Sequence, residues 1–274
     1  VTVFQLAGGT TSIPKIIPRF SNEYLYNIEM TGRKLGYTED DVVFAPLQII
    51  HNAGILCAIP VFLVGGTYVA TPKSDPMTLL GVLRDLRPTV FAVLPAALSR
   101  MEQINIKSMV DFSRARLVFS PNAARQTEEV LGIPGVHIFG MTDGVGAFGD
   151  VSDPDQARYA TIGTPVAPAD ELKVVEPGTE NELPKGEVGE LIIRGPYTFH
   201  GYYDADERNK EVFTSDGFYR TGDLMSVRTI DGRDYYAFAG SLKDVVSRGG
   251  EKINCEEVEL AARPHPANAE IAIV

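Results

Sequence analysis

The chain has 274 residues, with 25 Lys and Arg against 36 Asp and Glu and a net charge of −11. That acidic balance excludes a broad nucleic-acid footprint, which needs a basic face, although one local lysine can still bind a phosphate. Hydrophobic residues at 44% supply core for one large domain or two smaller ones, and no apolar run approaches the roughly 20 residues of a membrane helix. Val1–Leu6 reads as a strand with no basic segment ahead of it, so no signal peptide is visible. A Gly/Thr loop follows, and Asn22–Leu35 carries helical spacing. Val42–Ala45 fits a short buried strand, Ile49–Leu63 an apolar helix, and Thr67–Ala70 a β-branched strand. Pro72 to Pro76 marks a turn, Met77–Leu86 a helix that stops before Pro88, and Val90–Leu94 a strand, after which Pro95 opens another helix. Arg116–Phe119, Ala124–Leu131 and Val136–Phe139 continue as strand, helix and strand. These repeated β–α units predict a largely parallel sheet covered by helices.

The second half differs. Glu171–Val175 and Glu190–Arg194 read as strands joined by a Gly/Pro/Glu loop, and Asp216–Gly217 and Asp231–Gly232 are further turn signals, so an antiparallel β region is expected. A new segment starts near Gly240–Asp244. The chain opens inside one apolar strand and closes in another, Ile271 to Val274, the pattern of a piece of a longer polypeptide. Cys57 and Cys255 are its two cysteines; they make no disulfide framework and fit reduced thiols in a cytoplasmic protein.

The stretch from Leu6 to Lys15, LAGGTTSIPK, is the most informative. Gly8 and Gly9 let backbone N–H groups approach an anion closely. Thr10, Thr11 and Ser12 offer hydroxyl donors, and Lys15 a compact positive charge. This is not the Walker pattern, which closes on GK[ST]. On composition alone it is equally a flexible surface turn.

The order of these residues resembles the signature loop of the adenylate-forming superfamily, which contains acyl-CoA synthetases, luciferases and nonribosomal-peptide adenylation domains. Ser12 stands where that pattern has a glycine. Further matches follow in the family's order. The segment Phe139, Gly140, Met141, Thr142, Asp143 resembles the one in which an aromatic residue stacks on adenine and an acidic residue, usually Glu, binds Mg²⁺. Tyr219 to Asp223 reads YRTGD, where the resemblance implies that Asp223 accepts the ribose hydroxyls; taken alone, Asp223 is a turn aspartate. The segment from Gly240 to Ile253 resembles the family's hinge, with Lys243 as the hinge residue and Gly249 and Gly250 along the pantetheine path. Ser241 replaces an arginine that contacts the nucleotide in relatives; Arg233 is near in sequence. Ser120, Pro121, Asn122 and Ala123 replace a Gly-Gly-Ala-like turn beside adenine, where Asn122 still offers an amide.

Gly195 to Tyr203, GPYTFHGYY, is similar to the aryl-acid branch that serves siderophore synthesis. In that branch the Asn of an HN pair, here His51 and Asn52, bonds the ring hydroxyl ortho to the carboxylate; His51 is otherwise a helix-N-terminal or core histidine. Cys57 aligns with a small pocket-floor position, and Ala123 and Gly140 line the same site. Gly146 and Ala147 replace bulkier residues, which implies room for a larger or 3-substituted ring. The resemblance thus implies an α/β fold: residues 1–239 as part of a large adenylation domain, with helix-covered mostly parallel sheets plus an antiparallel β subdomain, and 240–274 as the hinge and start of a small α+β domain. It implies an enzyme using ATP and Mg²⁺ to activate an aryl acid as its adenylate, with a carrier-protein phosphopantetheine thiol or CoA as acceptor, and with Thr10, Thr11, Lys15, His51 and Lys243 as the catalytic set. A lysine late in the C-terminal domain of relatives has no counterpart before Val274. A general acyl-CoA synthetase for non-aryl acids and a non-catalytic nucleotide-binding paralogue are the alternatives.

Overall fold

Short apolar runs alternating with helices that open on Ser, Asn, Pro, Ala or Asp generate the first half of the computed structural model, which describes residues 1–7, 15–71, 75–242, 245–248 and 251–254. In chain order these are β1 (Val3–Ala7), β2 (Lys15–Arg19), α1 (Ser21–Lys34), β3 (Val42–Phe44), α2 (Asn52–Leu63), β4 (Thr67–Val69), α3 (Pro76–Leu86), β5 (Val90–Ala92), α4 (Pro95–Gln103), β6 (Leu117–Phe119), α5 (Ala124–Leu131), β7 (Gly135–Val136), β8 (Ile138–Met141), β9 (Val145–Phe148), α6 (Asp155–Ala160) and β10 (Thr164–Pro165). They are followed by β11 (Glu171–Val175), β12 (Gly189–Arg194), α7 (Asp206–Val212), β13 (Tyr219–Ile230), β14 (Arg233–Ser241), β15 (Val245–Arg248) and β16 (Glu251–Asn254). They form two compact units, one of residues 1–170 and 195–211 and the other of 171–194 and 212–274.

In the first unit β4, β3, β5, β6 and β7 form an all-parallel sheet in that order. Both faces are buried, as such a sheet requires. Phe44, Phe91 and Val118 point to one side, where Leu83 of α3, Leu98 of α4 and Leu131 of α5 cover them. Val43, Val90, Leu117 and Val136 point to the other, against Leu35, Val61 of α2, Phe148 and Val166. The chain order reverses between β3 and β5, and in open α/β sheets ligands bind outside the carboxyl ends of the strands at such a switch point.

Two expectations are corrected here, and one pairing is added. The α2 helix starts at Asn52, not Ile49, because His51 takes extended φ/ψ of −78° and 145° and caps it. The strand expected over Val136–Phe139 is two strands: β7 ends the parallel sheet, and β8 pairs antiparallel with β9 in a separate three-stranded sheet with β10. The Gly/Thr loop is flanked by an antiparallel pair, with Ala7 of β1 opposite Lys15 of β2.

The second unit holds the antiparallel sheet β11-β12-β13-β14, as expected from its Gly/Pro turns. Val175, Ile192 and Phe218 form its buried cluster, and Lys173 and Arg194 lie over the Phe218 ring at 4.3 and 4.4 Å. β15 pairs antiparallel with β16. Among the described residues no helix is long and apolar enough to cross a membrane.

Candidate functional site

Three groups of predicted residues, far apart in sequence, follow the carboxyl ends of parallel strands. His51 and Asn52 come after β3, Ser120 to Ala123 after β6, and Phe139 to Asp143 after β7. The fold therefore gathers them at one end of the sheet.

Asn52 is the first residue of α2 and is buried. Its side-chain carbonyl accepts a hydrogen bond from the Tyr24 hydroxyl of α1 at 3.1 Å. Burial pushes the Tyr24 phenol up to about 12, so it stays protonated and donating. With the carbonyl engaged, the amide N–H₂ is the end of Asn52 that suits a ligand acceptor. His51 is exposed, and its Nδ1 accepts from the Ala53 N–H at 3.3 Å. That is a capping job, the helix-N-terminal alternative to a substrate role. Cys57 is buried one turn further along, and burial alone pushes its thiol up to about 12, which makes it an inert wall rather than a nucleophile.

Arg19 links this corner to the turn after β8. It is wholly buried, at 0% exposure. Its guanidinium donates to the Thr142 carbonyl at 2.6 Å and to the Tyr197 carbonyl at 2.8 Å. It also faces the Glu23 carboxylate at 3.3 Å and lies 5.0 Å from the Tyr24 ring centroid. Such bonds to a charged donor fix the backbone of the Thr142–Asp143 turn. Gly144 has φ of +96°, and a Cβ there would sit 1.9 Å from the Tyr197 carbonyl oxygen, so this close approach needs glycine. The Phe199 N–H closes the same contact on the Asp143 carbonyl at 2.8 Å.

Asp143 is buried, and the Tyr202 hydroxyl donates to its Oδ1 at 2.7 Å. The Lys15 ammonium stands over the Tyr202 ring, 4.8 Å from its centroid. The predicted metal carboxylate and the predicted loop lysine therefore meet on one tyrosine. Among the described residues no group of three or more His, Cys, Asp or Glu is set to hold a metal. A lone carboxylate suits Mg²⁺ carried mainly by nucleotide phosphates, which takes one or two protein carboxylates. Phe139, Met141 and Thr142 are half-buried and Gly140 is exposed on the same strand and turn.

Asn122 is exposed in the left-handed region at φ +52°, and Ala123 is buried at the start of α5. Ser120 is fully buried and its Oγ finds no hydrogen-bond partner. Gly146 does not open the space expected of it. A Cβ there would meet Val166 Cγ2 at 2.8 Å, so Val166 already fills that direction. Gly8, Gly9, Thr10, Thr11, Ser12, Lys243, Gly249 and Gly250 lie outside the described residues.

In the second unit Asp223 sits on β13 directly opposite Ser241 of β14. The YRTGD residues each have a local job. Tyr219 packs its ring 5.8 Å from Phe213. Arg220 binds Glu190 at 3.0 Å and the Thr179 carbonyl at 2.8 Å. Thr221 accepts from the Asp223 N–H at 3.0 Å and donates to the Leu191 carbonyl at 2.7 Å. Gly222 takes φ of +75°. Arg233, near Ser241 in sequence, lies at the turn end of the β13–β14 hairpin, opposite Ile230. Eight strand steps of ~3.3 Å each separate it from Ser241, roughly 25 Å.

Sequence reasoning missed Arg19, Glu23, Tyr24 and Tyr202. Arg19 beside Pro18 just ahead of a helix, with Glu23 four residues on, was the available signal for the first two; Tyr202 was visible only as part of GYY.

Comparison with known proteins accords with this geometry. The chain is 37% identical over 282 residues to the pyochelin synthase PchD of Pseudomonas aeruginosa, covering 100% of this chain and 51% of that protein. It is 34% identical over 284 residues to the 2,3-dihydroxybenzoate-AMP ligase of Bacillus subtilis, covering 100% of this chain and 52% of the ligase. The apo structure of Mycobacterium smegmatis MbtA superposes with a TM-score of 0.80 at 31% identity, over 96% of this chain and 50% of MbtA. The chain thus spans about half the length of the curated relatives it matches. Residues 1–203 match the family described as AMP-binding enzyme, and this chain belongs to that family.

Proposed function

We propose that the chain carries the nucleotide- and acid-binding part of an enzyme that converts an aryl carboxylic acid and ATP to the acyl adenylate, and then passes the acyl group to a pantetheine thiol of a carrier protein or CoA. The observation that carries this reading is the continuous network in the first unit from Asn52 through Tyr24 and Arg19 to the Thr142–Asp143 turn, with Tyr202 joining Asp143 to Lys15. It ties a neutral amide suited to a ring hydroxyl to a carboxylate and an ammonium suited to a metal-bound triphosphate. The 2,3-dihydroxybenzoate-AMP ligase and the salicylate adenylyltransferase among the relatives, each at 34–35% identity, support an aryl acid.

In the reaction a carboxylate oxygen attacks the α-phosphorus, the new P–O bond forms, and the bond to pyrophosphate breaks with its electrons leaving on the pyrophosphate oxygen. Little covalent chemistry falls to the protein, so position and charge supply the rate. Gly8, Gly9, Thr10, Thr11 and Ser12 hold the β- and γ-phosphates, and Lys15 adds a positive charge. Mg²⁺, held by Asp143 and the nucleotide, neutralises phosphate charge when bound. Phe139 to Thr142, Asn122 and Ala123 border the adenine, Asp223 holds the ribose, and Lys243 serves as the hinge before thiol transfer.

Acid-dependent pyrophosphate exchange tests the reading. Salicylate or 2,3-dihydroxybenzoate should support exchange at least about tenfold faster than a fatty acid, and Asn52→Ala should remove most of that preference; one good hydrogen bond to a buried polar group is worth about that factor. A fatty acid matching the aryl acids overturns it. One observation favours a second reading, an ATP-binding protein with slow turnover: Ser241 stands opposite Asp223 and Arg233 is at the far end of the hairpin. Tight ATP binding without exchange would select that reading.

A further inference from the structure

The geometry points to Tyr202 as the positioning residue for the metal-binding carboxylate, an inference that rests on the nucleotide-site reading above. Its hydroxyl donates to Asp143 Oδ1 at 2.7 Å inside the protein, which restrains the carboxylate rotamer. Its ring lies beneath the Lys15 ammonium at 4.8 Å. One side chain therefore sets the separation of the two charges that would meet a metal-bound triphosphate.

The tyrosine is itself strapped in place. Asn209 of α7 accepts from the Tyr202 N–H at 2.8 Å and donates to the Tyr202 carbonyl at 2.9 Å, a two-point amide clasp. Phe199 packs on its ring with centroids 4.8 Å apart. The next residue, Tyr203, donates its N–H to the Ile16 carbonyl of β2 at 2.9 Å, tying the segment to the strand that begins with Lys15. Gly201, at φ +133°, keeps its Cα side against the Asn209 amide, where a Cβ would come within 3.1 Å. A surface tyrosine would need none of these restraints. They make sense for a phenol whose oxygen must hold one place.

The test measures ATP affinity by calorimetry with Mg²⁺ and with EDTA, in the wild-type protein and in Tyr202→Phe. Phenylalanine keeps the ring under Lys15 and removes the hydroxyl that bonds Asp143. The strengthening of ATP binding by Mg²⁺ should shrink roughly tenfold to a hundredfold, the usual cost of deleting an outer partner of a metal ligand, while affinity in EDTA stays within about twofold. A Mg²⁺ enhancement equal in the two proteins overturns the inference, and so does an equal loss with and without metal, which marks a purely structural tyrosine. If Tyr202→Phe does not fold, Asn209→Ser loosens the clasp and leaves the phenol. It should show a smaller loss of the same Mg²⁺ enhancement, and an unchanged enhancement counts against the role. A wild-type protein that binds ATP in neither condition removes the nucleotide site itself, an outcome distinct from an unaffected Tyr202→Phe.

Discussion

Arg19→Met should be among the most damaging substitutions in the first unit, and its cost follows from what the guanidinium touches. Arg19 is fully buried and serves two backbone carbonyls and the Glu23 carboxylate, whose side chain is 6% exposed. Methionine fills much of the volume but leaves the Thr142 and Tyr197 carbonyls without a donor. It also leaves a buried carboxylate whose remaining neighbours are the Phe20 N–H at 3.3 Å and the exposed His200 at 3.0 Å. Removing one partner of a buried charge pair costs about 3–5 kcal/mol, most of it the stranded charge. In a chain of this size that lowers the melting temperature by about 10 °C. The diagnostic is the double variant. Glu23→Gln in the Arg19→Met background removes the stranded charge and should restore about 1–2 kcal/mol, although each change alone is destabilising. Urea unfolding of the four proteins of this cycle measures the coupling. A loss below about 1 kcal/mol for Arg19→Met, or simple additivity in the double variant, would refute the reasoning.

Two further outcomes follow from the same unit. Gly144→Ala combines a positive φ of +96° with a Cβ 1.9 Å from the Tyr197 carbonyl, so it should lose several kcal/mol or fail to fold; a melting temperature within about 3 °C of wild type would contradict the close approach. Burial pushes the Asp170 carboxyl up to about 6, against the bonds it accepts from the Tyr197 hydroxyl and the Ala167 N–H. The folded state then holds this proton more tightly than the unfolded state, so the associated stability is full below about pH 4 and is lost as pH rises through about 6. It amounts to roughly 3 kcal/mol. Asp170→Asn stays neutral and should be more stable than wild type at pH 7 but not near pH 4, by urea midpoints; an equal difference at both pH values contradicts the assignment.

The parallel sheet was legible because each of its strands is a short apolar run with helical spacing after it, as in Val90–Ala92 before Pro95. β2 was not: Lys15-Ile-Ile-Pro-Arg19 is short, contains a proline, and sits directly against a helix. Pro18 is tolerated because β2 pairs within a two-stranded sheet, where an N–H is not required on both sides. The β13–β14 hairpin announced itself only through its Asp231–Gly232 turn, since Tyr219–Asp223 lacks clean alternation and serves the motif. Among site residues, those named by motif could be placed by order alone. Arg19, Glu23 and Tyr24 could not, because patterning treats a buried charge as an error and has no means of pairing residues 123 positions apart, such as Arg19 and Thr142.

The turn that carries Asp143 is held twice, and the two restraints do different work. Arg19 holds its backbone through the Thr142 carbonyl, and Tyr202 holds its side chain through Oδ1. The backbone restraint is built from desolvated charge, so losing it strands groups that folding has already buried, and the loss falls on stability. The side-chain restraint uses a neutral donor on a carboxylate whose turn is already fixed, so losing it acts on the rotamer more than on the fold. A protein with Tyr202→Phe should therefore remain folded while answering poorly to Mg²⁺, and one with Arg19→Met should show its main cost in stability. If both substitutions instead lowered stability equally and left metal dependence alone, the tyrosine would be part of the same scaffold as the arginine.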